Sequence, residues 1–182
     1  MGFFDRFSKK KQPHYDSTYI TVKDLDVGFV FDYNLTTWEV KAIYEYDWGD
    51  NYFTREFKID NGSDILFLSI EEDDELIISV SNKVKVHKLG DSLQQDIIAR
   101  GKPANKITFE GREYSLVKEA PGYFHDITGN PNNWIEFISW DFEDDSEAYT
   151  ITVEQWGEKE FEATAGKYVK EFEISNILPA TD

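Results

Sequence analysis

The sequence contains no cysteine and one methionine in 182 residues. Disulfides, thiolate–zinc sites, iron–sulfur clusters and cysteine nucleophiles are therefore excluded. Basic residues are scarce, with 19 Lys and Arg against 36 Asp and Glu and a formal net charge of −17. Neutralising phosphates takes Lys and Arg, so no nucleic-acid partner is expected. No apolar run approaches the ~18 residues of a membrane span, and no signal-peptide core follows the start. Catalytic motifs are missing as well. There is no HExxH and no Gly-x-Ser-x-Gly elbow, and His14, His87 and His125 lie far apart. Gly101-Lys102 and Gly166-Lys167 lack both the glycine spacing and the following Ser or Thr of a phosphate loop. What is present is core material. The chain is 40% hydrophobic and 16% aromatic, enough for one domain or two small ones.

Charge is unevenly placed. Arg6, Lys9, Lys10 and Lys11 face a single acid, Asp5, within the first eleven residues, while the rest of the chain is strongly acidic. A helix would gather Phe3, Phe4 and Phe7 on one side, flanked by the lysines, which is the composition of a short interfacial helix on an anionic membrane. Residues 1–17 are thus expected to be a basic amphipathic segment, with Phe3, Phe4, Phe7, Lys9, Lys10 and Lys11 as candidate docking residues. The competing reading is a frayed end.

From Tyr19 onward the pattern alternates with period two, broken by turn residues, and predicts strands. Val27–Tyr33, Trp38–Tyr46, Tyr52–Ile59, Ile65–Ile70 and Leu76–Val80 come first, with Val84–Val86 as a short sixth. Trp48-Gly49-Asp50-Asn51 and Asp60-Asn61-Gly62-Ser63 read as hairpin turns, so these neighbours should pair antiparallel. Residues 92–99 read as a short helix behind Asp91, stopped by Gly101 and Pro103. Lys106–Phe109, Glu113–Lys118, Trp134–Trp140, Ala148–Glu154, Glu160–Ala163 and Tyr168–Ile174 then read as strands, and 121–133 as a long loop.

The two halves resemble each other. Leu66–Glu72 aligns with Tyr149–Gln155 at a shift of 83, and Glu56-Phe57 with Glu136-Phe137 at a shift of 80. The expected fold is mainly β, with two similar antiparallel units, each a sandwich or half-open barrel. Residues 18–88 form the first unit, 89–105 a helical linker and 106–182 the second.

The acids are the remaining chemical candidates. Glu71, Glu72, Asp73, Asp74 and Glu75 form one cluster; Asp141, Glu143, Asp144 and Asp145 form another. Neither has the EF-hand spacing, and consecutive acids on a strand point to opposite faces, so solvated turns without metal are expected. Trp48, Trp134, Trp140 and Trp156 could stack on sugar, but core or sheet-facing roles are commoner, and no pair of acids stands out for glycoside hydrolysis.

Several short runs resemble a known bacterial family of unknown function, DUF4178. They are the entry Asp24-Leu25-Asp26-Val27-Gly28, then Trp38-Glu39-Val40, Tyr44-Glu45-Tyr46, Arg55-Glu56-Phe57 and Leu66-Phe67-Leu68-Ser69-Ile70-Glu71. The ending Val153-Glu154-Gln155-Trp156 and Ala165-Gly166-Lys167-Tyr168-Val169 is similar too, so the resemblance covers about residues 22–178. It implies no established activity or catalytic residue. The family's gene neighbourhood, with envelope-stress proteins, small membrane proteins and aminopropyltransferase-like enzymes, implies a cytoplasmic accessory role at the inner membrane. Together these features point to a non-catalytic binding or adaptor module, peripheral at the cytoplasmic membrane, with a protein partner and with no cofactor or catalytic residue. The alternatives are a polycation (polyamine) binder using the acidic body, and a metal-dependent hydrolase using the acidic loops.

Overall fold

Alternating β-branched and aromatic residues, punctuated by Asn-Gly and Asp-rich turns, favour antiparallel hairpins over helices. The computed structural model describes residues 15–16, 18–72 and 74–180. Eleven strands form in these residues, with one α-helix, α1 (Leu93–Arg100). They are β1 (Val30–Tyr33), β2 (Thr36–Asp47), β3 (Phe53–Asp60), β4 (Ile65–Glu72), β5 (Leu76–Lys83), β6 (Lys106–Phe109), β7 (Arg112–Asp126), β8 (Trp134–Asp144), β9 (Tyr149–Gln155), β10 (Phe161–Val169) and β11 (Ile174–Leu178). The fold is mainly β, and all eleven strands belong to one antiparallel sheet.

That sheet closes on itself. β1 to β5 are successive neighbours, as are β6 to β10, and the two runs meet twice. β5 pairs with β10 (Ser81 opposite Gly166), and the second half of β2 pairs with the end of β7 (Glu45 opposite His125). The ring β2-β3-β4-β5-β10-β9-β8-β7 is therefore an eight-stranded antiparallel barrel. β1 and β11 branch from the first half of β2, and β6 branches from the start of β7. Both long strands bulge against their following neighbour, β2 between Val40 and Ala42 and β7 between Leu116 and Lys118. Such bulges bend a strand and deepen its twist, which lets one strand serve two neighbours in succession.

The apolar face of each strand points out of the ring and is covered there. Around β2 to β5, Trp38, Val40, Phe57, Ile59, Leu68, Ile70, Ile78 and Val80 pack under Val22, Leu25, Phe29 and β1. Val169 and Ile174, from β10 and the start of β11, complete this cluster. Around β7 to β10, Trp140, Phe142, Ile151 and Val153 are all 0% exposed, beneath α1, β6 and the 3₁₀ turn Val86–Leu89. Each such side chain contributes about 1.5–3 kcal/mol on burial.

Several boundaries differ from the expectation for physical reasons. Val84–Val86 is no strand, because the chain turns at Val86–Leu89 to cap the second cluster. Residues 121–126 lie in β7 and not in a loop, with Pro121 opposite Ile138. Pro121 falls between the β6-paired and β2-paired stretches, where among the described residues β8 alone lies beside β7 and a missing N–H is tolerated. Residues 161–163 and 168–169 belong to one strand, β10, through Gly166.

The expected turns hold their shape through side chains. In the β3–β4 turn, Asp60 Oδ1 accepts from the Gly62 N–H at 2.6 Å, and Asn61 Oδ1 accepts from the N–H groups of Ser63 and Asp64. Gly62 adopts φ +90°, a conformation open to glycine and costly for a residue with Cβ.

Candidate ligand-binding site in the barrel

Because side chains alternate, the polar face of every barrel strand points inward. On β9, Thr150, Thr152 and Glu154 face the interior, with Trp156 just beyond, while Ile151 and Val153 face the outer core. The inward residues surround a cavity of 1340 Å³ that continues past the β3–β4 turn at Asn61 and Asp64. Eight-stranded barrels of this kind are wide enough to hold a small ligand. Eight carboxylates and four Lys or Arg line the space, so its wall carries a surplus of negative charge.

One end of the carboxylate set is built around Glu56 and Glu154. Tyr46 donates its hydroxyl to Glu56 Oε1 at 3.0 Å, and Ser69 donates to Oε2 at 2.8 Å. Burial raises the Glu56 pKa, and these two hydrogen bonds with the Lys83 charge oppose the rise. Glu154 lies opposite Glu162 on β10. Among the described residues nothing hydrogen-bonds or ion-pairs with its carboxylate, which faces the cavity from a half-buried side chain. Burial, then the charges of Glu56, Glu162 and Asp141, push its pKa up to about 8. Glu162 sits nearer the opening and pairs with Lys83 at 2.6 Å.

The other end gathers Asp141, Glu143 and Glu71. Thr152 donates its hydroxyl to Asp141 Oδ1 at 2.8 Å, yet burial still raises the Asp141 pKa against that bond and the Lys118 charge. Tyr168 donates to Glu143 at 2.7 Å, and Tyr52 to Glu71. Burial and the bond to Glu143 raise the Tyr168 pKa, so the phenol stays protonated as a donor.

An aromatic wall crosses the β2–β7 closure. Tyr46 stacks on Trp48 with centroids 5.8 Å apart, and Phe137 stacks on Trp156 at 4.7 Å. Phe124 links Tyr44, Tyr46 and Trp156 at 5.2–5.5 Å. The Trp156 Nε1–H is buried with no hydrogen-bond partner among the described residues. Aromatic faces and carboxylates together suit an organic cation, which is attracted to both.

The expected acidic turns fare differently. Glu71 lies inside the barrel and is only partly exposed, because it has the inward parity of β4. Asp144 is 7% exposed rather than solvated. Its carboxylate bonds Arg112 at 2.7 Å, the Ser146 hydroxyl and the N–H groups of Ala148 and Tyr149, closing the β8–β9 turn. Burial opposes ionisation of Asp144, but these donors outweigh it and hold its pKa well below the usual carboxylate range. Glu72 pairs with Lys23, and Asp74, Glu75 and Asp145 are exposed. Asp73 lies outside the described residues, as do Phe3, Phe4, Phe7, Lys9, Lys10, Lys11 and His14. Among the described residues no three of His, Cys, Asp and Glu are placed to hold a metal ion.

Of the four tryptophans considered for stacking, Trp140 is core, Trp48 and Trp156 line the cavity, and Trp134 is an outer residue stacked on His125 at 4.5 Å. Sequence reasoning passed over Glu56 and Glu154. The signal was there in Tyr44-x-Tyr46-x-Trp48 and Glu154-x-Trp156, where large rings occupy the face that alternation assigns to solvent.

The architecture is thus that of an antiparallel barrel with a polar, acidic interior. The model of the family described as domain of unknown function (DUF4178) matches residues 26–171, and the chain belongs to that family. It is also 30% identical over 185 residues to a protein of Aquifex aeolicus (strain VF5) described as an uncharacterized protein, covering 98% of this chain and 99% of the relative. No solved structure matches. Among the described residues, no helix is long and apolar enough to cross a membrane.

Proposed function

We propose that the protein is a non-catalytic binding module whose ligand, an organic cation, sits inside the barrel. The observation that carries this reading is Glu154, half-buried, aimed into the cavity and without a partner among the described residues. A carboxylate partly withdrawn from water with no partner is costly, and a cation beside it restores the lost solvation. Glu56 and Glu162 add to the field, and the neighbouring rings of Tyr46, Phe124 and Trp156 supply a cation–π surface. Part of the acidity that suggested a polycation partner therefore points inward, where solvent screens it least.

Isothermal titration of the full chain with a primary alkylamine, a quaternary ammonium ion, and the matching alcohol and carboxylate tests the reading. The cations should bind, and Glu154→Gln should weaken them at least tenfold. A double substitution of the exposed turn, Asp74→Asn with Glu75→Gln, should leave binding unchanged. Equal loss from both variants would mean diffuse attraction to the acidic surface, and the reading would fall.

We also infer that β1–β5 and β6–β10 are copies of one unit. Their matching strand order and the bulges in β2 and β7 support this, as does the expected alignment of Leu66–Glu72 with Tyr149–Gln155, whose strands β4 and β9 occupy equivalent positions. The shift of 80 for Glu56 does not survive, because it sets the inward Glu56 on Glu136, whose neighbours Phe137 and Ser139 carry the inward parity of β8. A superposition of the two halves that set β4 on any strand but β9 would refute common descent.

A further inference from the structure

The inward carboxylates do not form one cluster. Four of them step across three strands. Glu162 on β10 is directly opposite Glu154 on β9. Asp141 on β8 is opposite Thr152, two residues from Glu154 along β9, so Asp141 stands diagonal to Glu154. Glu143 follows two residues further along β8. Sheet geometry sets the first step at about 5 Å and the next two at about 7 Å.

This spacing decides the kind of cation. A single calcium or magnesium ion needs several oxygens within about 2.6 Å of one point, and among the described residues no three of these acids are placed to hold one. A flexible chain bearing ammonium groups every few carbons has the matching repeat. Glu154, unpartnered, is a middle rung. Among the described residues Asp141 receives a single hydrogen bond, from Thr152, leaving acceptor capacity toward the cavity. The outer rungs are already engaged, Glu162 by Lys83 and Glu143 by the Tyr168 hydroxyl, which limits how many charges the ladder can take.

We propose that the cavity holds an extended linear amine with at least two ammonium groups, one against Glu154 and the next against Asp141. The inference rests on the organic-cation reading above and goes beyond it by fixing the ligand's shape and charge count.

The test is titration of the full chain with a monoamine, with α,ω-diamines of increasing length and the same carbon counts, and with magnesium chloride. Diamines that span the two carboxylates should bind at least tenfold tighter than the monoamine of equal length. Asp141→Asn should erase that advantage, weakening the diamines at least tenfold more than the monoamine. Glu154→Gln should weaken both ligands. If monoamine and diamines bind alike, or if Asp141→Asn weakens both equally, the two-point ligand is wrong while the organic-cation site stands. If magnesium binds as tightly as the diamines, the ladder acts as an unspecific cation sink and the proposal fails. If no amine binds, both readings fall together.

Discussion

At the residue scale the barrel stores a cost in Glu154. Its folded pKa of about 8 lies above the 4.5 of an ordinary glutamate because the cavity is a poor solvent for its charge and three other acids surround it. Between those two values the folded chain binds more protons than the unfolded chain, so stability falls as pH rises through that window and levels off above it. The full effect is on the order of 5 kcal/mol. The ligand-free protein should therefore be more stable at pH 5.5 than at pH 8.5, and Glu154→Gln should flatten the difference. Urea denaturation at the two pH values measures both, and an unchanged pH slope in the variant would assign the effect elsewhere. The sign reverses for Asp144. Its depressed pKa gives stability that is present above the ordinary carboxylate range and lost as pH falls below it, so acid weakens the β8–β9 turn while relaxing the cavity. A cation bound at Glu154 favours the charged form. Binding should therefore release protons between about pH 6 and 8. Titrations at pH 7 in two buffers of different ionisation enthalpy should differ in apparent heat.

At the element scale the joint between the two runs of strands depends on β10. Gly166 lies opposite Ser81, and a Cβ there would come within 2.8 Å of the Ser81 Cβ and 2.9 Å of the Val80 carbonyl oxygen. The backbone must move to admit any side chain, so Gly166→Val should cost about 1–3 kcal/mol in urea denaturation and loosen the β5–β10 joint. Stability within a few tenths of wild type would mean the joint yields freely. The same strand shows what was legible in the sequence. Strand identity and the hairpins at Trp48–Asn51 and Asp60–Ser63 followed from local alternation and turn chemistry, which tertiary context did not override. The continuity of β10 was hidden, because Ala165-Gly166-Lys167 has weak strand propensity and is held by β5 and β9 on either side. Pro121 hid the length of β7 in the same way. The candidate site was invisible for a further reason. Period-two alternation tells two faces apart but not whether the polar one meets bulk water or a closed interior, and that depends on β2 meeting β7 far along the chain.

At the scale of the whole molecule, that meeting is the shortest joint in the ring. Tyr44–Asp47 pairs with Tyr123–Asp126 over four residue pairs, against eleven between β7 and β8. Outside the joint, His125 approaches Glu45 at 3.9 Å and hydrogen-bonds the Pro131 carbonyl at 2.9 Å. Inside it, Tyr46 and Phe124 stand ring to ring at 5.5 Å and line the cavity. Ladder hydrogen bonds open most readily where few neighbours must move together, so this joint is where the barrel should breathe. In the free protein the amides of residues 44–47 and 123–126 should exchange hydrogen faster than those of β8 and β9. An extended diamine along Glu154 and Asp141, packed against Tyr46 and Phe124, stabilises the closed ring and not the opened one. Ligand should slow exchange at the joint by about the factor 1 + [L]/Kd, because opening there must first release it. It should slow exchange less in β1, β6 and β11, which lie outside the ring. Hydrogen exchange read by mass spectrometry with and without a binding diamine separates the possibilities. Protection centred on the joint fits a ligand enclosed by the barrel. Protection spread evenly over the acidic surface, and lost at high salt, fits a ligand that never enters, since exposed charges are screened beyond about 8 Å at physiological ionic strength and enclosed ones much less.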